Sequence, residues 1–99
     1  MELRNVMESL VASTLDEVLS RSPEICSCDR CRLDMLAFAL NNLPPRYIVE
    51  DPEGIHAHLE AITAPFRGDV HYNVGRAVQM VSTRPHHAQA GSARHRLKD

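Results

Sequence analysis

Six consecutive residues, Met35-Leu36-Ala37-Phe38-Ala39-Leu40, carry apolar side chains, so a helix through them has no polar face to turn to water. The stretch around them is equally specific. Cys26-Ser27-Cys28-Asp29-Arg30-Cys31 precedes it, and Asn41-Asn42-Leu43-Pro44-Pro45-Arg46-Tyr47 follows. The pattern predicts a helix opening near Asp29 as N-cap and ending at Asn41 or Asn42. Asn42 suits the left-handed position after the last turn, and the double proline forbids continuation. A helix that is apolar all round must be buried on every side. In a chain of 99 residues one layer of helices can hardly surround it, so the expectation is a symmetric homodimer.

The rest of the chain supports a helical protein. Leu3, Met7, Leu10, Val11, Thr14, Leu15, Val18 and Leu19 recur at three- and four-residue steps, predicting a first helix over residues 2–21 that Pro23 stops. Asp51-Pro52-Glu53 has the N-cap, proline and acidic first turn of a helix start, with Ile55, Leu59 and Ile62 on one face. Thr63-Ala64-Pro65 opens a fourth helix, whose inner face carries Phe66, Val70, Val74, Ala77, Val78 and Val81. Gly75 in that helix marks either a close helix–helix approach or a tolerated glycine. No segment alternates with period two long enough to claim a sheet. The fold class expected is all-α, about four antiparallel helices per protomer. Residues 1–84 form the domain, and 85–99 form a mobile, mildly basic tail.

Charge excludes some functions. Eleven Lys and Arg against thirteen Asp and Glu leave a net charge of −2, a poor balance for general nucleic-acid binding, which depends on neutralising phosphates. No window approaches the roughly 18 apolar residues of a membrane span. The N-terminus lacks the features of a secretory signal, so the expected location is the cytoplasm and the cysteines should be reduced unless they hold metal.

Cys26, Cys28 and Cys31 combine C-x-C with C-x-x-C. Three thiolates this close repel one another unless a cation sits among them, and soft sulfur ligands suit zinc. Arg30, Arg32 and the N-terminus of the second helix would lower the thiol pKa values. A closed structural site takes four ligands. His71, His56, His58, Asp29, a histidine of the tail or a histidine of a second subunit are the candidates for the fourth. Reduced thiols without metal and a thiol redox enzyme are the alternatives, the latter without the βαβ context it would need.

The two prolines fix an extended backbone that displays Arg46 and Tyr47. Arg clamps a phosphate or lies flat on a purine, and Tyr stacks on a base. From residue types alone, a plain helix stop with Tyr47 packed on the core is the stronger reading.

The motif Cys26 to Cys31 followed by Arg32-Leu33-Asp34, the run Ala37 to Tyr47, the opening Asn5-Val6-Met7-Glu8 and the later Ala77 to His86 together closely resemble the late competence development protein ComFB family, over most of residues 5–87. The resemblance implies a small all-α protomer that forms a symmetric dimer, with zinc held by cysteines in some members. It also implies, for some members, a receptor for cyclic dinucleotides such as cyclic di-GMP or cyclic di-AMP, linked to competence, motility or cell-size control. The zinc-bearing pattern of that family has four cysteines, and this chain has three. Such a ligand wants arginines, an amide or carboxylate for guanine edges and a flat surface. Arg32, Asp34, Asn41, Arg46 and Tyr47 supply these groups, and Arg76 and Arg84 could add charge. The expected activity is regulatory and non-enzymatic, since no nucleophile–base–orienter set is in view. The alternative is a zinc-stabilised module that binds a regulatory protein partner and no nucleotide.

Overall fold

The structure is a computed structural model that describes residues 1–50 and 55–85, without the side chains of 55–58. The element order is β1 (Glu2–Asn5), α1 (Val6–Ser20), α2 (Asp29–Asn41), β2 (Tyr47–Glu50), α3 (Ile55–Thr63), a 3-10 turn (Ala64–Phe66) and α4 (Arg67–Thr83).

The chain is mostly helical, yet the all-α expectation needs a correction. β1 and β2 form a two-stranded antiparallel sheet in which Leu3 faces Val49 and Asn5 faces Tyr47. Four residues per strand are too few to leave an alternating signature, and only the turn at Pro44-Pro45 brings these two segments together. Asn5 is the joint. Its side-chain oxygen accepts from the Met7 N–H at 3.2 Å and caps α1, and it also accepts from the Arg46 N–H at 2.8 Å. The first helix therefore starts at Val6, four residues later than its periodicity suggests, and Leu3 is exposed on the ribbon.

The caps of α2 also differ from expectation. Cys28 is the N-cap, its sulfur accepting from the Cys31 N–H at 3.5 Å, with Asp29 in the first turn. Asn42 sits at φ −105°, outside the left-handed region, and donates through its side chain to the Phe38 carbonyl at 2.8 Å. The sequence start at Asp51-Pro52-Glu53 lies outside the described residues, as does everything beyond Pro85.

Two pairs of contacts set the helix directions. Asp16 of α1 meets Arg32 of α2, while Asn5 before α1 meets Arg46 after α2. Arg76 of α4 lies over Phe38 of α2, while Phe66 before α4 lies under Arg46. Both α1 and α4 thus run antiparallel to α2. Their shared core is Met7, Val11, Leu15, Cys31, Met35, Ala39, Leu43, Val70, Val74, Ala77 and Val78. Burying each of the larger side chains contributes about 1.5–3 kcal/mol.

Among the described residues the second helix is not buried all round. Cys31, Met35 and Ala39 are buried, but Leu33 is 60% exposed and Ala37 is exposed. Among the described residues its main neighbours are α1 and α4, and the side that carries Leu33 and Ala37 faces out. The exposed Tyr72 and Met80 lie on α4.

A Cβ added at Gly75 would meet nothing within 4 Å, so the tolerated-glycine reading holds and no close approach depends on it. Gly75→Ala should stabilise the protein by about 0.5–1 kcal/mol, because alanine loses less backbone freedom on entering a helix. Urea denaturation checks this, and an unchanged or lowered midpoint would show that something packs on that position.

Candidate metal centre and ligand-binding end

The three cysteines converge at the start of α2. Their sulfurs lie within 4.8 Å of one another, Cys31 buried, Cys26 half-buried and Cys28 exposed. Local sequence causes this: C-x-x-C places Cys31 one helical turn after the cap residue Cys28, and the extended backbone of Cys28 (φ −65°, ψ 166°) turns Cys26 back towards both. Four sulfurs around a tetrahedral zinc with bonds of about 2.3 Å would sit roughly 3.8 Å apart. Small rotations of χ1 bring the three to that spacing. The donor set therefore fits a thiophilic cation.

The electrostatics of the cluster agree. Burial alone would push the Cys28 thiol up, but the N–H groups of Cys31 and Arg30 and the neighbouring thiols donate to its sulfur, and it ends below the ordinary value. Cys31 is pushed up to about 12, first by burial and then by the sulfurs of Cys28 and Cys26. One site thus prefers the anion and its neighbour resists it, first because Cys31 is buried and then because the adjacent sulfurs oppose a further charge. Metal binding would remove that conflict by ionising all three, with release of protons. Among the described residues neither Asp29 nor His71 joins the three sulfurs. The side chains of His56 and His58 lie outside the described residues, and α3 itself adjoins the opposite end of the molecule, where Leu59 and Thr63 share a cleft with Arg4 and Ser9.

The five residues expected to bind a ligand separate into two groups. Arg32 and Asp34 belong to the cysteine end. Arg32 is held two-handed by Asp16, at 3.0 Å and 3.2 Å. Its hydrogen bond keeps the Asp16 carboxyl below the usual carboxylate range. Asp34 takes the Arg30 guanidinium at 3.0 Å. Asn41, Arg46 and Tyr47 belong to the other end, since nine residues of helix separate Arg32 from Asn41, about 13 Å of rise. Within one chain the two groups do not share a site.

At that second end Tyr47 is 59% exposed, so it does not pack on the core. Arg46 is exposed, with its guanidinium 5.9 Å from the Phe66 ring centre. Arg76 lies 5.7 Å from the Phe38 ring centre and 6.0 Å from that of Tyr72. Among the described residues Arg4, Arg21, Arg30, Arg32 and Arg67 have carboxylate partners, whereas Arg46, Arg76 and Arg84 make no ion pair. Which arginines are free is a long-range matter. Nothing near Arg32 in sequence announces Asp16.

A cleft of about 420 Å³ lies between β1, α1, α3 and the start of α4, with Arg4, Ser9, Ser13, Thr63 and Arg67 on its walls. Its two arginines are engaged, Arg4 by Glu50 at 2.6 Å and Arg67 by Glu60 at 2.8 Å. Sequence reading missed this cleft, because its walls come from four separate segments of the chain. No helix in the described residues is long and apolar enough to cross a membrane.

Comparisons with known proteins agree with the fold. The sequence profile of the late competence development protein ComFB matches residues 4–85. The solved structure of the late competence protein ComFB from Bacillus subtilis is similar at a TM-score of 0.67 and 23% identity, covering 85% of this chain and 94% of that one. A search of curated proteins finds no match.

Proposed function

From the premise that this chain belongs to the ComFB family, we propose that it is a non-enzymatic regulatory module, a homodimer that binds a cyclic dinucleotide. One observation carries the ligand reading. The turn after α2 presents Arg46, which has no carboxylate partner among the described residues, lying over an aromatic ring beside the exposed Tyr47. A guanidinium beside an aromatic ring can donate two hydrogen bonds to a phosphate, and an exposed phenol ring offers a base a stacking surface. Asn41, the last residue of α2, adds an amide for a purine edge. Arg76, near the rings of Phe38 and Tyr72 and without an ion pair among the described residues, adds a second cation. Arg32 and Asp34 would reach the same ligand only across a subunit boundary, because within the chain they stand at the far end of α2.

The dimer reading is supported by the outward side of α2 and α4, where Leu33, Ala37, Tyr72 and Met80 are exposed. Exposed apolar side chains of this kind are stabilised when a partner covers them. In this reading zinc is the structural metal of the cysteine cluster, and the protein acts in the cytoplasm in competence, motility or related control.

Isothermal titration with cyclic di-GMP and cyclic di-AMP tests the ligand. Saturable heat is expected for at least one of them, and Arg46→Ala should weaken it roughly 10- to 100-fold, the loss of a charge-assisted bond of about 1.5–3 kcal/mol. Heats at the noise level for both would remove the nucleotide. The exposed apolar side would then favour the second reading, a zinc-stabilised module for a regulatory protein partner.

A further inference from the structure

Arg46 is gripped through its backbone from both sides. Its N–H donates to the Asn5 side-chain oxygen at 2.8 Å, and its carbonyl accepts from the Val6 N–H, also at 2.8 Å. Both partners belong to the start of α1, and Asn5 stands 41 residues earlier in the chain. The entrance to the turn is fixed as well. Leu43 is buried in the core, and Pro44 and Pro45 follow it with φ locked by their rings. Little backbone freedom is left between the buried Leu43 and the gripped Arg46. The Asn5 oxygen has a second duty, since it also accepts from the Met7 N–H at 3.2 Å and caps α1. An amide oxygen has two lone pairs, so one atom can serve both N–H groups.

We infer that Asn5 is the positioning residue of the ligand-binding turn. It holds the Arg46 backbone where the guanidinium lies beside the Phe66 ring, and it couples that turn to the first turn of α1. The inference rests on the nucleotide reading of Arg46 above and adds how that site is kept in shape and what it is coupled to. The Asn5 oxygen is spent on two backbone N–H groups, so its effect on a ligand passes through Arg46. A turn whose backbone is ordered before the ligand arrives loses less entropy on binding. Coupling of this kind is reciprocal. A ligand held by Arg46 also steadies the oxygen that caps α1.

Two substitutions separate the two duties. Serine is as good a cap as asparagine, but its side chain ends one bond sooner, so Asn5→Ser should keep the cap and leave the Arg46 N–H unbonded. Asn5→Ala loses both contacts. The full chain is titrated with cyclic di-GMP and cyclic di-AMP, well below the melting temperature of every variant. Affinity should be roughly tenfold weaker in both variants, the cost of ordering one residue on binding. The melting temperature should fall in Asn5→Ala and return towards the parent in Asn5→Ser, although affinity does not. Amide hydrogen exchange followed by NMR reads the grip without ligand. The Arg46 amide should be protected in the parent and exchange faster in both variants, and added dinucleotide should slow exchange at Met7 of the parent. Affinity that follows the melting temperature and is restored in Asn5→Ser would reduce Asn5 to a helix cap. That result overturns the inference and leaves the nucleotide reading intact, as does full affinity in a variant whose Arg46 amide has lost its protection. A parent chain that gives heats at the noise level with both dinucleotides would overturn the nucleotide reading and this inference with it.

Discussion

Met35→Ala should lower the stability of this protein by about 2–5 kcal/mol, the cost of removing a long buried side chain and leaving a partly collapsed cavity. Met35 is 1% exposed. It sits midway along α2, one turn from Cys31 and one turn from Ala39, both also buried, and faces the core that α1 and α4 share. Small domains have total stabilities near the lower end of about 5–15 kcal/mol, so such a loss is a large fraction of the whole. In thermal terms it corresponds to a fall in Tm of roughly 8–40 °C, given about 4–8 °C per kcal/mol for a domain this size. The matched control is Leu33→Ala on the outer side of the same helix, where the residue is 60% exposed. In an isolated protomer that change should cost under about 0.5 kcal/mol. The pair is decisive when measured at high and low protein concentration. A cost at Leu33 that appears only at high concentration would mark the outer side as the dimer contact. Equal costs at both positions when dilute would show that the inner and outer sides of α2 have been assigned wrongly.

Chelation is expected to have an effect of similar size. A metal that binds only the folded chain contributes about 4 kcal/mol when its free concentration is a thousandfold above its dissociation constant. Its removal should lower Tm by roughly 15–30 °C. Cys31→Ser should reproduce most of this loss. The thiol of Cys31 is buried and pushed up to about 12 by that burial and by the neighbouring sulfurs, and a serine there cannot take the place of a thiolate on the metal. The sign with pH follows from proton release. Acid competes with the metal for the sulfurs, so the metal-dependent part of stability is lost as pH falls and is present at neutral pH. Calorimetric scans of the protein with and without chelator, between pH 5 and 8, would measure it. A metal-free protein whose melting temperature is undiminished across that range would remove zinc from the account.

Periodicity in the chain determined the helices. Val70, Val74, Ala77 and Val78 were legible as the inner face of α4, and Met7, Val11 and Leu15 as that of α1, because each signal is contained within a few turns. The cysteine cluster was legible for the same reason, since a spacing of two and three residues brings sulfurs together whatever the rest of the molecule does. The stop after Asn41 needed only the two prolines. Three further features were decided by the tertiary structure. Glu2–Asn5 became a strand because Tyr47–Glu50 lies beside it, a pairing across more than forty residues that no local preference encodes. Arg32 pairs with Asp16, whereas Arg46 and Arg76 make no ion pair among the described residues, so the charge at the two ends of α2 is used differently. Lastly, the antiparallel packing of α2 and α4 brings the last turn of one level with the first turn of the other. A local sequence signal reports forces between residues within a turn or two, whereas charge pairing, strand pairing and helix direction depend on which distant segments the core draws together.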